Sequence, residues 1–210
     1  MIGLLIKIAL SYMLGSVSGS MVMGSLRHVD IREKGSGSAG GTNAFRTQGF
    51  KFALFVVLID IGKGFLAAWL IPLLDLGKLD TGVSIEIQML SCGFAAVVGH
   101  CYPLWHGFRG GKGAATAVGA LLFIYPLVVI PMITVWLIVL VLTGWVGLAT
   151  MLAAVTMVPA FLWMDGAGSF LWLGIALAAL IIFTHRTNIR GLLNGTEYRF
   201  EKAMIRNWFA

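Results

Sequence analysis

The sequence predicts an all-α polytopic integral membrane protein. Three observations carry that expectation. Apolar residues make up 59% of the chain and charged residues only 11%. The mean hydropathy is +0.91. Twelve of the fifteen Lys and Arg residues are gathered into three polar stretches, 26–51, 105–112 and 185–210. Such a composition lies far outside the soluble globular range, belongs to the polytopic membrane class and leaves no room for a water-soluble domain. Each crossing needs about 20 apolar residues, so the 210 residues form a single membrane domain, 1–210, with short loops.

The first helix is expected near 3–25, where Lys7 is the one charge in a long apolar run. No small-residue cleavage pattern follows a basic stretch, so the segment reads as a retained helix and not as a removed signal. A second helix spans about 51–74 and carries Asp60 and Lys63 about halfway along, three residues apart and hence on one face. Gly62 and Gly64 beside them permit close helix contact. Intramembrane charges are costly and are functional candidates by default; the preferred reading is a mutually compensating pair that supports a site, with direct contact to substrate left open. The third helix, 84–104, holds Cys92 and Cys101, whose spacing along one helix disfavours a mutual disulfide.

Helices near 113–130 and 131–144 follow, with Pro126 and Pro131 marking either a tight turn or a kink. The last two are placed at 146–164 and 168–185. Seven spans result. If the three basic stretches are cytoplasmic, the segment from 113 to the tail must cross an even number of times, which sets the N-terminus outside and the C-terminus in the cytoplasm. The outer connections carry Asp75, Lys78, Asp80 and Asp165 and read as plain connectors.

The inner loops hold the chemistry. Gly35-Ser36-Gly37-Ser38-Ala39-Gly40-Gly41-Thr42-Asn43 has the composition of a phosphate cradle, with Arg46 as a forked cation nearby. It is equally the composition of a flexible linker. The second loop repeats the theme: Gly99-His100-Cys101-Tyr102-Pro103, then Arg109-Gly110-Gly111-Lys112-Gly113 opening into a helix. Free backbone donors, the positive end of a helix dipole and a lysine together favour an anion, against the blander role of topogenic charge. His100 is either a helix-end histidine or a functional one. In the third stretch, His185-Arg186-Thr187-Asn188-Ile189-Arg190, one more helical turn puts His185 and Asn188 on a shared face. Arg199, Lys202 and Arg206 beyond it read as a lipid-facing basic tail.

Four marks in fixed order make the sequence resemble the bacterial acyl-phosphate:glycerol-3-phosphate acyltransferase family, the PlsY type. They are Gly35 to Asn43 with Arg46, Asp60-x-x-Lys63-Gly64, Gly99-His100-x-x-Pro103 leading to Gly110-Gly111-Lys112-Gly113, and His185-x-x-Asn188-Ile189. The resemblance implies a multi-pass enzyme of the bacterial inner membrane, active at the cytoplasmic face, that moves a fatty acyl group from acyl-phosphate to the 1-hydroxyl of glycerol 3-phosphate. Its implied products are lysophosphatidic acid and phosphate. On these terms the candidate catalytic residues are His100, His185 and Asn188, and the candidate substrate-binding residues are Ser36, Gly37, Gly40, Thr42, Asn43, Arg46 and Lys112. The family often has Asn at the place of Ser38 and Ala at the place of Gly41, exchanges a backbone cradle tolerates. Thr143-Gly144-Trp145-Val146-Gly147 has fewer hydroxyls than the family's counterpart, which puts a phosphate contact from it in doubt.

The partners expected are the two phosphorylated substrates and membrane lipids, with no nucleic acid, no cofactor and no metal; a monomer is consistent with the chain. Acyl-phosphate is an activated anhydride, so no covalent enzyme intermediate is required. Either histidine, or a substrate phosphate oxygen, is eligible to take the hydroxyl proton; the phosphate is preferred, with the histidines donating. A transporter of a phosphorylated metabolite is the rival reading, but it needs polar groups through both membrane halves, and the outer half is nearly empty of them. The sequence thus expects segments from Ser36 to Asn188 to meet at the inner leaflet.

Overall fold

The computed structural model describes residues 1–79 and 82–205, so the expected connector Asp80 and tail Arg206 lie outside the described residues. Among these residues the regular structure is entirely helical. The chain forms two compact units, one from Met1 to Tyr125 and one from Pro126 onward.

The first unit holds α1 (Ile2–Gly15), α2 (Gly19–Arg27), α3 (Gly41–Gln48), α4 (Phe50–Trp69), α5 (Ile85–Cys101) and α6 (Ala114–Ile124). α4 packs along α6 and α1 packs along α5, with α4 also against α5, α3 and α2. The α4–α6 seam is built from glycine: a Cβ on Gly64 would strike the Thr116 backbone, and one on Gly119 would strike the Ile61 carbonyl. Close approach through small residues is how helices gain van der Waals contact where lipid removes the hydrophobic drive. At the far end of α1, the fully buried Lys7 ammonium donates to the Pro72 carbonyl (3.0 Å) and to Gln88 Oε1 (2.8 Å), tying α1 to the α4–α5 hairpin.

The second unit holds α7 (Pro126–Thr143), α8 (Val146–Asp165), α9 (Ser169–Thr184) and α10 (Arg186–Leu193). α7 pairs with α8, α8 with α9, and α10 lies against both α8 and α9. Its core is Met157, Phe161, Leu177 and Ile181, all essentially buried.

Among the described residues, five helical stretches are long and apolar enough to cross a membrane: Ile2–Arg27, Phe50–Trp69, Ile85–His106, Pro126–Thr143 and Val146–Asp165. A sixth arises if α9 and α10, bent by 56° at their joint, count as one span. α6 is apolar but has 11 residues, about 16 Å of helix, against a hydrocarbon core of about 30 Å.

Three expectations change. The helix placed at 3–25 is broken at Ser16–Ser18, inside the run Gly15-Ser16-Val17-Ser18-Gly19-Ser20, whose small residues are equally common where unbroken membrane helices pack closely. Residues 41–48, read as the end of a loop and the connection beyond it, form α3. The turn in 113–144 falls at Tyr125, so Pro126 opens α7 at the position where a missing N–H is harmless, while Pro131 sits inside the helix. Cys92 and Cys101 are free buried thiols.

Candidate functional site

The Gly/Ser segment is not a loose linker. Ile31 and Ala44, flanking it on either side, are both 0% exposed and pack with Phe52, Ala53 and Val56 of α4. Full burial of one such isoleucine is worth roughly 1.5–3 kcal/mol, which anchors the segment at its base. Its shape is then set by Asn43. The Asn43 amide nitrogen donates to the carbonyls of Ile31 (2.8 Å), Lys34 (3.0 Å) and Ser38 (2.9 Å), and its Oδ1 accepts from the Ser36 N–H (2.9 Å). Gly35, at φ 59°, passes so close to Asn43 that a Cβ there would meet Oδ1. Asn43 is therefore the internal strut of the loop. Ser36, Gly37 and Thr42 are exposed, Gly40 and Arg46 half-buried.

Gly40 is the residue before α3, so the N–H groups of Gly41, Thr42 and Asn43 form the open first turn of a helix. Thr42 and Arg46, four apart, lie on one face of it. The second loop ends the same way: Gly113, at φ 90°, precedes α6, with Lys112 half-buried just before it. Two glycine-led helix starts are thus present, and they adjoin. The Ala39 N–H donates to the Gly110 carbonyl (3.3 Å), and Arg32 reaches across to the carbonyls of His106 (3.1 Å) and Arg109 (3.4 Å).

Arg32 was not among the residues singled out from sequence. It is held by Asp30, which accepts from Arg32 Nε (3.0 and 3.1 Å) and Nη2 (2.7 Å). The Asp-x-Arg spacing was visible, but a short loop motif of this kind is common and points nowhere until its carbonyl acceptors are known. The Arg32 guanidinium hydrogen-bonded to Asp30 holds that carboxyl below its ordinary value of 3.8. A carboxyl lowered on folding contributes stability above the ordinary value and loses it only as pH falls below that value through the lowered one. Asp30→Asn is accordingly expected to reduce turnover by about two- to fivefold, the scale of a partly exposed ion pair. The reduction should be uniform from roughly pH 5 to 8, as a pH–rate profile of the variant will read.

Beneath these loops lies a buried polar cluster. Asp60 and Lys63, 1% and 4% exposed, pair at 3.0 Å. They also repair the break in the first span: Gly19 N–H, in the first turn of α2, donates to Asp60 Oδ1 (3.1 Å), and Lys63 Nζ donates to the Val17 carbonyl (2.7 Å). Backbone groups freed inside a membrane must find partners, and this pair provides one for each side of the break. Lys63 Nζ lies 2.9 Å from His100 Nδ1 and Asp60 Oδ1 lies 3.4 Å from it. The His100 ring is itself buried, with Gly111 packed on its Nε2 edge so tightly that any Cβ would overlap the ring.

In the second unit His185 is the joint between α9 and α10 and is 5% exposed. Its Nδ1 lies 2.8 Å from the Ile181 carbonyl. A carbonyl only accepts, so Nδ1 carries the proton and Nε2 is the nitrogen that changes state. Asn188 sits on α10, not on a straight continuation of α9 as the spacing implied, and its amide donates to Glu197 Oε1 (2.7 Å). Gly147 of α8 makes room for it; a Cβ there would come within 2.8 Å. Arg199, expected to face lipid, instead donates to the Thr143 carbonyl (2.9 Å) and lies over the Trp145 ring. The Thr143–Val146 turn is thus held by the polypeptide beyond α10. Among the described residues no group of three His, Cys, Asp or Glu side chains is placed to hold a metal ion.

Comparison with known proteins follows the same lines. A family model described as glycerol-3-phosphate acyltransferase matches residues 5–195. A glycerol-3-phosphate acyltransferase of Symbiobacterium thermophilum is 42% identical over 190 residues, 90% of this chain and 91% of that one. One from Aquifex aeolicus is 39% identical over 199 residues, 93% and 98% of the two chains. Among solved structures, the integral membrane glycerol 3-phosphate acyltransferase PlsY in its glycerol 3-phosphate form superposes with a TM-score of 0.80 at 36% identity, covering 94% of this chain and 95% of that one. Its lysophosphatidic acid form gives 0.78 at 35% identity, over 93% and 94%.

Proposed function

Because the chain belongs to the glycerol-3-phosphate acyltransferase family, we propose that it acylates the 1-hydroxyl of glycerol 3-phosphate with a fatty acyl group taken from acyl-phosphate, supplying lysophosphatidic acid for phospholipid synthesis. The hydroxyl oxygen attacks the acyl carbonyl carbon, the carbonyl carbon–phosphate oxygen bond breaks, and inorganic phosphate leaves. The hydroxyl proton goes to a phosphate oxygen, whose pKa of about 6 suits it to accept at neutral pH.

The observation that carries this reading is the adjacency of two glycine-led helix starts, joined from Ala39 to Gly110. Two phosphorylated molecules need two anion sites, and a helix N-terminus with a nearby cation is one. Ser36, Gly37, Gly40, Thr42 and Arg46 form one binding group and Lys112 belongs to the other. Asn43 serves the first by shaping it. His185 and Asn188 act on the reacting groups in the same reaction, and His100 acts from beneath the second loop.

The topology is read as seven crossings of the bacterial inner membrane, formed by α1 with α2, then α4, α5, α6, α7, α8 and α9; the 11-residue α6 is too short to cross as a helix alone and is counted because charge bias puts both 105–112 and the tail on one side. The N-terminus is outside, the basic stretches are cytoplasmic by charge bias, and the site lies at the cytoplasmic face. The whole of 1–210 works as one enzyme.

Purified protein given isotope-labelled glycerol 3-phosphate with acyl-phosphate, acyl-CoA or acyl carrier protein as donor tests the reaction. Lipid-soluble label with acyl-phosphate, undiminished in chelator, is the expected result. Label trapped in vesicles without acylation would mean a carrier instead. For the proton, His185→Gln is expected to lower kcat by about 100-fold, within the range for a positioned proton-handling group, while both limbs of the pH–rate bell persist. Loss of one limb with unchanged substrate affinities would make His185 the base.

A further inference from the structure

The Asp60–Lys63 pair lies beneath the binding loops, buried and away from any loop surface, and its contact with His100 is more than charge compensation. An ammonium has three protons. Those of Lys63 have three acceptors in reach: the Val17 carbonyl at 2.7 Å, Asp60 Oδ1 at 3.0 Å and His100 Nδ1 at 2.9 Å. The same Nδ1 also lies 3.4 Å from Asp60 Oδ1, to which it could donate, but the ammonium at 2.9 Å is nearer and can only donate, so the closer contact makes Nδ1 the acceptor and leaves the neutral ring's hydrogen on Nε2. That edge is the one on which Gly111 rests. The main chain reinforces the register, since the Gly111 N–H donates to the His100 carbonyl (3.1 Å). A Cβ on Gly110 would meet that same carbonyl and Pro103. The Gly110–Gly113 loop is therefore seated on His100 through both backbone and ring.

We propose that Asp60 and Lys63 are positioning residues that fix His100 as its Nε2–H tautomer, and that the ring so fixed is the peg on which the Gly110-Gly111-Lys112-Gly113 loop is set for its phosphate. This rests on the reading of that loop as an anion site. The chain of contact is continuous. The break in the first span supplies the Val17 carbonyl and the Gly19 N–H, which orient the Lys63 and Asp60 head groups. Those head groups orient the ring, and the ring meets the loop where only glycine fits. A neutral, buried ring in this tautomer is a donor and a spacer. It is not poised to abstract a proton through Nε2, which separates its role from that of His185.

The test is nitrogen NMR on enzyme labelled with ¹⁵N-histidine in detergent micelles, the His100 signals being assigned by their loss in His100→Gln. Wild-type protein at neutral pH is expected to show His100 protonated on Nε2 alone. Protonation on Nδ1, or on both nitrogens, overturns the proposal, and the His100→Gln spectrum must keep the other three histidine signals in place for the assignment to stand. Gly111→Ala, remote from the charges, is expected to shift the His100 signals and to raise the KM of one phosphorylated substrate by about tenfold, with kcat falling less. Unmoved signals or an unchanged KM would refute the seating. His100→Gln, which keeps an amide donor near the Nε2 position, should retain at least tenfold more activity than His100→Ala; equal loss in both would also count against the proposal. Assaying the wild-type sample with labelled glycerol 3-phosphate keeps the two questions apart. An active enzyme with the wrong tautomer sinks the peg alone, whereas an inactive one with the right tautomer sinks the reaction alone.

Discussion

Replacing Asn43 with Ala is expected to reduce kcat/KM at least 100-fold in an enzyme that still inserts and folds. The side chain's two N–H groups are shared among three carbonyls and its oxygen accepts a fourth contact, which binds the polypeptide from Ile31 to Ser38 around a single amide. The Ile31 carbonyl is buried, so removing its donor costs about 1–3 kcal/mol for an unsatisfied group. The exposed Ser36 and Lys34 ends can turn to water. What they lose is shape, and a loop proposed to bind phosphate would, without that shape, have to be ordered anew in each encounter. A hundredfold corresponds to about 2.7 kcal/mol, within reach of one orphaned carbonyl plus that ordering. Asn43→Asp sharpens the comparison: it keeps the acceptor for the Ser36 N–H but faces three carbonyls with negative oxygen, and should be no better than Ala. Were Asp to restore activity, the amide's donors would not be what matters. Steady-state kinetics alongside thermal unfolding of each variant in detergent gives the answer.

The second large effect is on stability. Asp60→Asn leaves the Lys63 ammonium, 4% exposed, without its counter-charge. Breaking a buried pair from one side typically costs about 3–5 kcal/mol, so unfolding in detergent should occur about 10 °C lower. Combining Asp60→Asn with Lys63→Gln removes the stranded charge. It keeps an acceptor for the Gly19 N–H and a shorter donor toward Val17, and should recover most of the lost stability. Activity should not return with it, because His100 has then lost the cation that fixes its ring. A single variant that melts with the wild type would show that the pair is not ionised as drawn.

Much of the fold could be read without coordinates because the membrane makes hydropathy decisive. The apolar runs that became α4, α5, α7, α8 and α9 are unmistakable, and the starts of α4, α5, α8 and α9 fall within one residue of expectation, whereas α4 ends at Trp69 and not at 74 and the α6–α7 boundary falls at Tyr125 and not at 130–131. The break at Ser16–Ser18 escaped because its cause is elsewhere in the chain: the freed Val17 carbonyl and Gly19 N–H are satisfied by Lys63 and Asp60 on another helix. α3 escaped because two glycines and two polar residues look like loop, although Gly40 and Gly41 serve as its start. Of the candidate site, the residue types and their order were legible, since phosphate chemistry demands glycine, hydroxyl and cation together. Their division of labour was not, and Asn43 and His100 show why. Each was marked as polar and near a cradle, yet which of their atoms already have partners depends on carbonyls that no sequence pattern announces.

By itself, then, the sequence determined a membrane-embedded helical protein with basic, glycine-rich loops, because apolar run length and charge placement are local properties that a bilayer reads directly. Only the tertiary structure decided that Asn43 braces a loop, that a buried ion pair mends a broken helix, and that His100 sits under Gly111 instead of facing solvent. Those outcomes turn on partners that lie beyond the reach of one helical turn, from five to twelve residues away for Asn43 to more than forty for the ion pair, and in a water-free interior each donor's role is set by whichever acceptor the fold brings to it.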